Sequence, residues 1–456
     1  MGGVVTDKIV IRNIKNIKHL EVDFIYPESQ IIVVTGRNGV GKTTIIKAFK
    51  LIKDPNIFGK SSGDQALNSE SSVDMKIDGH PEFSFSYNKR FSALDSRDKI
   101  PLDGEILSEL PIPFGDRFSR FSVIASLDSE LRVKIGSSDY EKASELIDFL
   151  SQVYSSTRFE GLKQAKIKGG VYYFSLKEYD FYLREDHFSS GEYFLIQLYR
   201  LITSGARLVL IDEVDIALDA VAQVNLYNTL KPILQEYGAR LIVVSHSLAF
   251  MDTVDEGGLY YLDRNNDIVS LDQKSFGYIK SNLYGFKGFD RYILTEDSVL
   301  EGFIEFLIKM YAFTPYYQHK TIGVGGFTQL QLIIEKNDTD KIFSASCDVL
   351  AVVDGDVHAE LDQSYNGPTK IFCSPVEDLE LYIYKNRDRI LDTIPLPTYP
   401  ESSKDKKASK AYWKYLTHDN EIPINNLYSL IVKNNEEKSR EFALKIQKFL
   451  TIQAAS

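Results

Sequence analysis

The sequence predicts an α/β protein: two parallel-sheet units in tandem, followed by a mainly helical segment. Three features point there. A β-branched run, Gln30-Ile-Ile-Val-Val-Thr35, enters a glycine loop and then a helical pattern. Two later apolar runs, Leu208-Val-Leu-Ile211 and Leu241-Ile-Val-Val244, have strand length and end in polar side chains. From Arg291 onward strand-like and helix-like stretches alternate again, the pattern of a second small parallel sheet.

The chain has 456 residues, 53 Lys and Arg against 64 Asp and Glu, a net charge of −11 and 43% hydrophobic content, which fits several globular domains with real cores. No apolar run approaches the roughly 20 residues that a membrane span needs. Two cysteines, Cys347 and Cys373, cannot build a disulfide scaffold, and the first residues lack a secretory pattern, so a cytoplasmic protein is expected. The charge is unevenly spread: residues 288–399 hold twice as many acids as bases, and residues 400–456 are the only basic segment.

Gly36-Arg-Asn38-Gly39-Val-Gly41-Lys42-Thr43-Thr44 follows the first run and precedes the apolar-periodic Ile45 to Leu51. This is the phosphate-loop pattern G-x-x-x-x-G-K-[ST] in a strand–loop–helix setting. Glycines let backbone N–H groups turn onto phosphates at a helix N-terminus, where the dipole favours anions. Gly36, Asn38, Gly39, Gly41, Lys42, Thr43 and Thr44 are expected to cradle the nucleotide, with Thr43 on Mg²⁺. A plain glycine turn is the alternative.

Asp212 and Glu213 close the run 208–211; Asp212 suits a Mg²⁺ shell and Glu213 suits activation of the attacking water. Before them, Phe188-Ser-Ser190-Gly191-Glu192 opens an apolar helix, and after them come Asp219 and the run ending in Ser245-His246. Singly, Ser-Ser-Gly reads as a helix cap and His246 as a polar strand end. In that order and spacing the sequence resembles the ABC-type ATPases, in the branch of recombination and chromosome-maintenance ATPases, over residues 1–285. The resemblance implies ATP and Mg²⁺ as cofactors, a signature at Ser190 and Gly191, a D-loop at Asp219, a switch histidine at His246, and a homodimer or higher homo-oligomer that sandwiches ATP. Gln65 is the nearest Q-loop candidate. Residues from about 54 to 185 fall where relatives carry insertions, without long heptads. Tyr172-Tyr-Phe and Phe181-Tyr-Leu read as short strands, and Pro101 to Phe114 reads as a loop.

In the second unit, Arg291-Tyr-Ile-Leu-Thr295 ends at Glu296-Asp297 and a helix over 299–310 follows, with Ser298 as its cap. A Gly-Val-Gly-Gly stretch at 323–326 leads into a helix from 327 to about 335, and Asp348-Val-Leu-Ala-Val-Val353 leads into Asp354-Gly-Asp356. Glu296, Asp354 and Asp356 at one sheet edge would make a hard-oxygen site for Mg²⁺ or Mn²⁺. Asp-Gly-Asp is equally a common turn, and Glu296-Asp297 equally a helix cap.

Strand–Glu, Gly-Gly, strand–Asp-x-Asp resembles a Toprim domain, and an ABC-type ATPase followed by Toprim resembles the OLD (overcoming lysogenization defect) family of nucleases. The implied organisation is an ATPase domain over 1–285, a Toprim-like domain over 288–399 and a basic helical segment over 400–456. The implied activity is ATP-gated, metal-dependent DNA endonuclease action in anti-phage defence. Partners then include DNA and, in some relatives, a reverse transcriptase with its reverse-transcribed DNA or a helicase. Glu380 matches the later acidic helix as a further metal ligand, and Lys410, among Lys404, Lys406, Lys407 and Lys414, matches the lysine that assists cleavage. Asp297 stands where the family pattern has glycine and Leu300 where it has an acid, with Glu301 next. A DNA-repair or DNA-binding ATPase with a degenerate second domain is the alternative. A transporter ATPase is disfavoured, having no use for that domain. Tyr412 and Trp413 are expected in a helix core rather than on bases.

Overall fold

The structure, a computed structural model, describes residues 6–62, 66–98, 100, 104–109, 119–177, 181–215, 217–265, 268–285, 288–355, 364–387, 405–419 and 421–452. The chain divides into two compact units, Met1–Ile279 and Lys280–Ser456. Among the described residues no helix is long and apolar enough to cross a membrane.

In the first unit the early strands are β1 (Thr6–Ile14), β2 (Ile17–Ile25), β3 (Ile31–Gly36), β4 (Leu67–Lys76), β5 (Phe83–Asn88), β6 (Ala93–Asp95) and β7 (Ile106–Glu109). Then come β8 (Glu141–Lys142), β9 (Leu162–Ile167), β10 (Gly170–Leu176), β11 (Tyr182–Arg184), β12 (Leu208–Ile211), β13 (Arg240–Val244), β14 (Leu259–Asn265) and β15 (Ile268–Gln273). The central sheet has the order β15-β14-β3-β13-β12-β7, parallel from β14 to β7. Its middle strands β12 and β13 are buried along their whole length and, Arg240 apart, apolar, as parallel strands covered on both sides require.

A second, antiparallel sheet has the order β2-β1-β4-β5-β6. Strand β2 shows why it lies flat on the core. Leu20, Val22 and Phe24 are buried while His19, Glu21 and Asp23 alternate outward. Its apolar face shares one core with Ile32 and Val34 of β3 and with Ile45, Ile46 and Phe49 of the helix Lys42–Lys50. A third sheet, β11-β10-β9-β8, keeps its own small core around Leu131, Ile167 and Phe174.

Two expectations change here. Within Pro101 to Phe114, residues 106–109 are not loop but the edge strand of the central sheet, because the backbone pairs in register with β12, Ile106 against Leu208 and Glu109 against Ile211. Of the stretch expected as an insertion, about 54–185, β4 pairs with β1 and continues that sheet through β5 and β6, and β7 pairs with β12, so only the β8–β11 layer with its helices stands apart.

In the second unit, β16 (Arg291–Thr295), β17 (His319–Gly323), β18 (Val349–Val353) and β19 (Lys370–Cys373) are all parallel, in the order β17-β16-β18-β19. Strand β18 divides its side chains between two cores. Leu350 and Val352 join Phe303, Leu307 and Ile383, whereas Val349, Ala351 and Val353 join Leu330 and Ile334. The helices Asp405–Lys414, Ile424–Asn434 and Glu436–Leu450 bury Tyr412, Trp413, Ile431 and Phe442 in the first of these cores. Gly302 is the contact point: a Cβ there would lie 2.6 Å from the Tyr428 hydroxyl, which donates to Val299 O at 2.8 Å. The helix expected to end near residue 335 runs over Phe327–Asp340.

Candidate functional site

Four neighbouring strands of the central sheet deliver their C-terminal ends to one edge, the position at which open parallel sheets bind ligands. Strand β3 ends in the glycine loop. Gly36 has φ 155°, and a Cβ there would sit 2.3 Å from Leu262 O, so the loop can start only with glycine. Gly39 and Gly41 also have positive φ, 78° and 123°. Gly41 opens the helix Lys42–Lys50 without a side-chain cap, leaving its first amides to be satisfied from outside. Lys42 is buried and donates to Gly36 O at 2.9 Å and Arg37 O at 3.0 Å. Burial lowers its pKa, and the charges of Asp212, Glu213 and Asp215 oppose that shift. Thr44 is buried beneath the loop, Thr43 is half-buried, and Asn38 and Gly39 are exposed.

Asp212, 1% exposed, follows β12. Neither carboxylate oxygen has a hydrogen-bond partner of ordinary length, and burial pushes the pKa up to about 6. The Thr43 hydroxyl lies near enough to favour the ionised form, while Glu213 disfavours it. Glu213 adopts φ 58°, a left-handed backbone that a non-glycine residue takes only where the surroundings enforce it. His246 follows β13; its backbone N–H donates to Asp215 Oδ1 at 3.4 Å. Burial and the Lys42 charge hold the imidazole below its usual pKa, against Asp215.

The signature-like stretch caps the helix Ser190–Thr203. Ser189 and Glu192 form a capping box: Glu192 N donates to Ser189 Oγ at 3.3 Å and Ser189 N to Glu192 Oε2 at 3.0 Å. Ser190 is exposed and Gly191 is buried. A Cβ on Gly191 would meet Ala217 O at 2.5 Å and the Tyr154 hydroxyl at 2.7 Å, so the start of this helix packs directly on the chain just before Asp219. Asp219 caps the helix Ala220–Tyr237 by accepting from Ala222 N at 2.9 Å.

Sequence reasoning missed Glu109. It ends β7, is buried, and its carbonyl accepts the Asp212 N–H at 3.1 Å, which puts it where a strand-end polar residue would face the nucleotide edge. The signal was the short apolar Ile106-Leu107 before Ser108-Glu109, masked by nearby prolines. Gln65 lies outside the described residues.

In the second unit, acids gather at the ends of β16 and β18. Asp297, Asp354, Asp378 and Glu380 line one small cleft. Several of these carboxylates hold the backbone. Glu296 Oε1 accepts Asp354 N at 2.9 Å, tying the two strand ends together. Asp297, not Ser298, caps the helix Ser298–Met310, accepting from Val299 N at 3.0 Å and Leu300 N at 2.9 Å. Asp378 caps the helix Leu379–Lys385 through Leu381 N at 2.7 Å. Burial raises Glu380 to about 7, against the pull of Lys410, with Asp297 and Asp378 adding to the rise. Lys410 is exposed on the helix Asp405–Lys414. Among the described residues no three His, Cys, Asp or Glu side chains are gathered to hold a metal ion. Of the expected ligands, Asp354 and Glu380 line this cleft, and Glu296 reaches it through the backbone N–H of Asp354. Asp356 and Lys404 lie outside the described residues.

Residues 8–181 match a family model described as an AAA domain. Over 222 residues the chain is 21% identical to the phosphonates import ATP-binding protein PhnC of Lactobacillus acidophilus, covering 48% of this chain and 70% of that protein. Within the first unit, the stretch that holds the phosphate loop is thus similar to AAA-type P-loop ATPase domains. Similar solved structures include the SMC head domain from Thermotoga maritima, at 14% identity and TM-score 0.37, covering 59% of this chain and 98% of that one. Another is an SmcHead bound to the C-winged helix domain of ScpA, at 13% identity and TM-score 0.42, covering 60% and 99%. The family match contains the phosphate loop; Asp212, Glu213 and His246 follow it in sequence and share its sheet edge.

Proposed function

We propose that this chain hydrolyses ATP as a closed pair of copies and that its second unit cleaves DNA phosphodiesters. The observation that carries the first part is Asp212: two buried carboxylate oxygens without ordinary hydrogen-bond partners, beside Thr43 and at the edge where the phosphate loop ends. Asp212 and Thr43 fit a divalent cation bound with ATP, whose charge would neutralise the phosphates. Lys42 and the N-terminal amides of its helix hold the phosphates, Glu213 orients and deprotonates the attacking water, and His246 makes a hydrogen bond at the departing phosphoryl group. Pairing is supported by the exposed Ser190 end of the signature helix, which offers a second copy's nucleotide an anion site. The Glu213→Gln variant should bind ATP, accumulate as an ATP-dependent dimer in size-exclusion chromatography, and fail to hydrolyse. Hydrolysis at the wild-type rate would overturn the assignment.

Support for DNA cleavage is the set of carboxylates at the ends of β16 and β18 with Lys410 acting on Glu380. Among the described residues no metal cage is complete. Nicking of supercoiled plasmid in Mg²⁺ or Mn²⁺, with and without ATP, tests the reading: D354A should abolish it, and undiminished nicking by D354A sinks it. A second reading, an ATP-driven DNA-binding protein with a degenerate second unit, is favoured by the capping work of Asp297 and Asp378. DNA retention without nicking in either metal selects it.

A further inference from the structure

We propose that Glu185 and Arg184 are positioning residues for ATP hydrolysis: they tie the signature-like stretch 188–192 to the β8–β11 layer, so that this layer sets where Ser190 is presented. The inference rests on the ATPase reading above.

The tie begins just before the helix Ser190–Thr203. A short helical turn, Glu185–His187, follows β11, and Phe188 N donates back to Glu185 O at 3.2 Å, so the chain reaches Ser189 without a free loop. Glu185 is 0% exposed. Its Oε2 accepts Tyr173 N of β10 at 3.1 Å and Arg200 Nη2 at 2.6 Å. Arg200 lies towards the far end of the same helix; it also donates to Val171 O of β10 at 2.8 Å and stands 4.7 Å from the Tyr173 ring. One buried carboxylate thus fastens β10 to the entrance of this helix and to its last turns. Arg184 carries the tie outward. Its Nε and Nη2 donate to Asp186 at 3.0 Å and 2.9 Å, and its Nη1 donates to Asp128 Oδ1 at 2.6 Å. Asp128 opens the helix Asp128–Gly136 of the layer and also accepts from the Tyr182 hydroxyl of β11 at 2.6 Å and from Arg132 Nε at 2.8 Å.

Stability alone is a poor account of this arrangement. A buried carboxylate–guanidinium pair contributes little net stability, because desolvation offsets the attraction, yet it fixes geometry closely. Here the fork is only half used: Glu185 Oε1 and Arg200 Nη1 are buried without hydrogen-bond partners. An apolar pair would fill the space without those unmet groups, but it would let the helix slide and turn about its axis. A displacement of about 1 Å at a catalytic group is enough to lower turnover heavily.

The test uses the full-length chain and reads two quantities. Asp128→Ala and Glu185→Gln should each speed amide hydrogen exchange over residues 188–195, without nucleotide, at least about threefold. Each should also lower kcat for ATP at least about fivefold while KM and the affinity for a slowly hydrolysed analogue stay within about twofold of wild type. Glu130→Ala, which breaks the exposed pair with Lys168 on the same helix as Asp128, is the control and should change neither quantity. If Glu185→Gln does not fold, Asp128→Ala, at a part-exposed side chain, decides alone. Wild-type exchange and turnover in Asp128→Ala overturn the proposal, and so does an equal loss of turnover in Glu130→Ala, which would mark a general loosening of the layer. If the wild-type chain hydrolyses no ATP, the ATPase reading fails; faster exchange in Asp128→Ala then still supports the tie, and unchanged exchange overturns it.

Discussion

Arg158 Nη2 lies 2.9 Å from Glu192 Oε1, and the other oxygen of that carboxylate accepts the Ser189 backbone N–H at 3.0 Å. The guanidinium is also held 4.7 Å from the Tyr154 ring and 4.8 Å from the Phe159 ring. An acid in the first turn of a helix opposes an incoming phosphate, and Arg158 offsets that acid.

The first prediction follows from this offset. Arg158→Ala should weaken ATP-dependent dimerisation about two- to fivefold, the scale of one charge at a helix end. Glu192→Gln keeps the capping box while removing the charge, so R158A/E192Q should recover wild-type association. Sedimentation with ATP reads both, and failure of the double variant to recover refutes the charge argument.

Gly191→Ala would drive a methyl group against Ala217 O and the Tyr154 hydroxyl. The variant should retain ATP binding at the phosphate loop, measured by titration with a slowly hydrolysed analogue, and lose most turnover.

Lys47 gives a pH prediction outside the assigned ligands. It is 3% exposed, and burial, helped by Lys15 and opposed by Asp212, brings its pKa from 10.5 to about 8. The unfolded chain therefore takes up this proton first as pH falls, so the folded state loses stability from about pH 10.5 down to about 8 and the penalty is constant below. Lys47→Met should stabilise the first unit by about 1–2 kcal/mol at pH 7, allowing for solvent screening. Denaturant melts should show that gain vanish near pH 10.5.

Asp297 separates a structural from a chemical role in the second unit. Asp297→Ala removes an acceptor for two amides and should cost about 1–2 kcal/mol, whereas Asp297→Asn, which still caps, should cost less than about 0.5 kcal/mol. Both should leave ATP turnover unchanged. If D297N also removes plasmid nicking at unaltered stability, the carboxylate acts in chemistry and not only at the cap.

What could be read from sequence was what a few consecutive residues encode. Gly36 to Thr44 carries its turn chemistry and its helix start together, and Ile211-Asp212 carries a buried strand and its acid. Pairing across distance was not legible. Residues 106–109 become a strand because β12 lies beside them, and that partner is a hundred residues away in sequence. The cap of the helix Ser298–Met310 was misplaced by one residue because Asp297 and Ser298 are both good caps, and only the extended backbone of Asp297, φ −145° and ψ 179°, decides between them. Acids at the ends of β16 and β18 were visible, but their use as ties for backbone amides depends on where β18 lies beside β16.

The left-handed backbone at Glu213 sets two kinds of fitness against each other. Glycine would hold that turn more cheaply, by about 1 kcal/mol, while deleting the carboxylate at the sheet edge. A library sorted for thermal endurance alone should thus enrich Glu213→Gly, and one sorted for ATP turnover should purge it. Where the two screens disagree at a single codon, the protein is keeping a less comfortable chain for the sake of its chemistry.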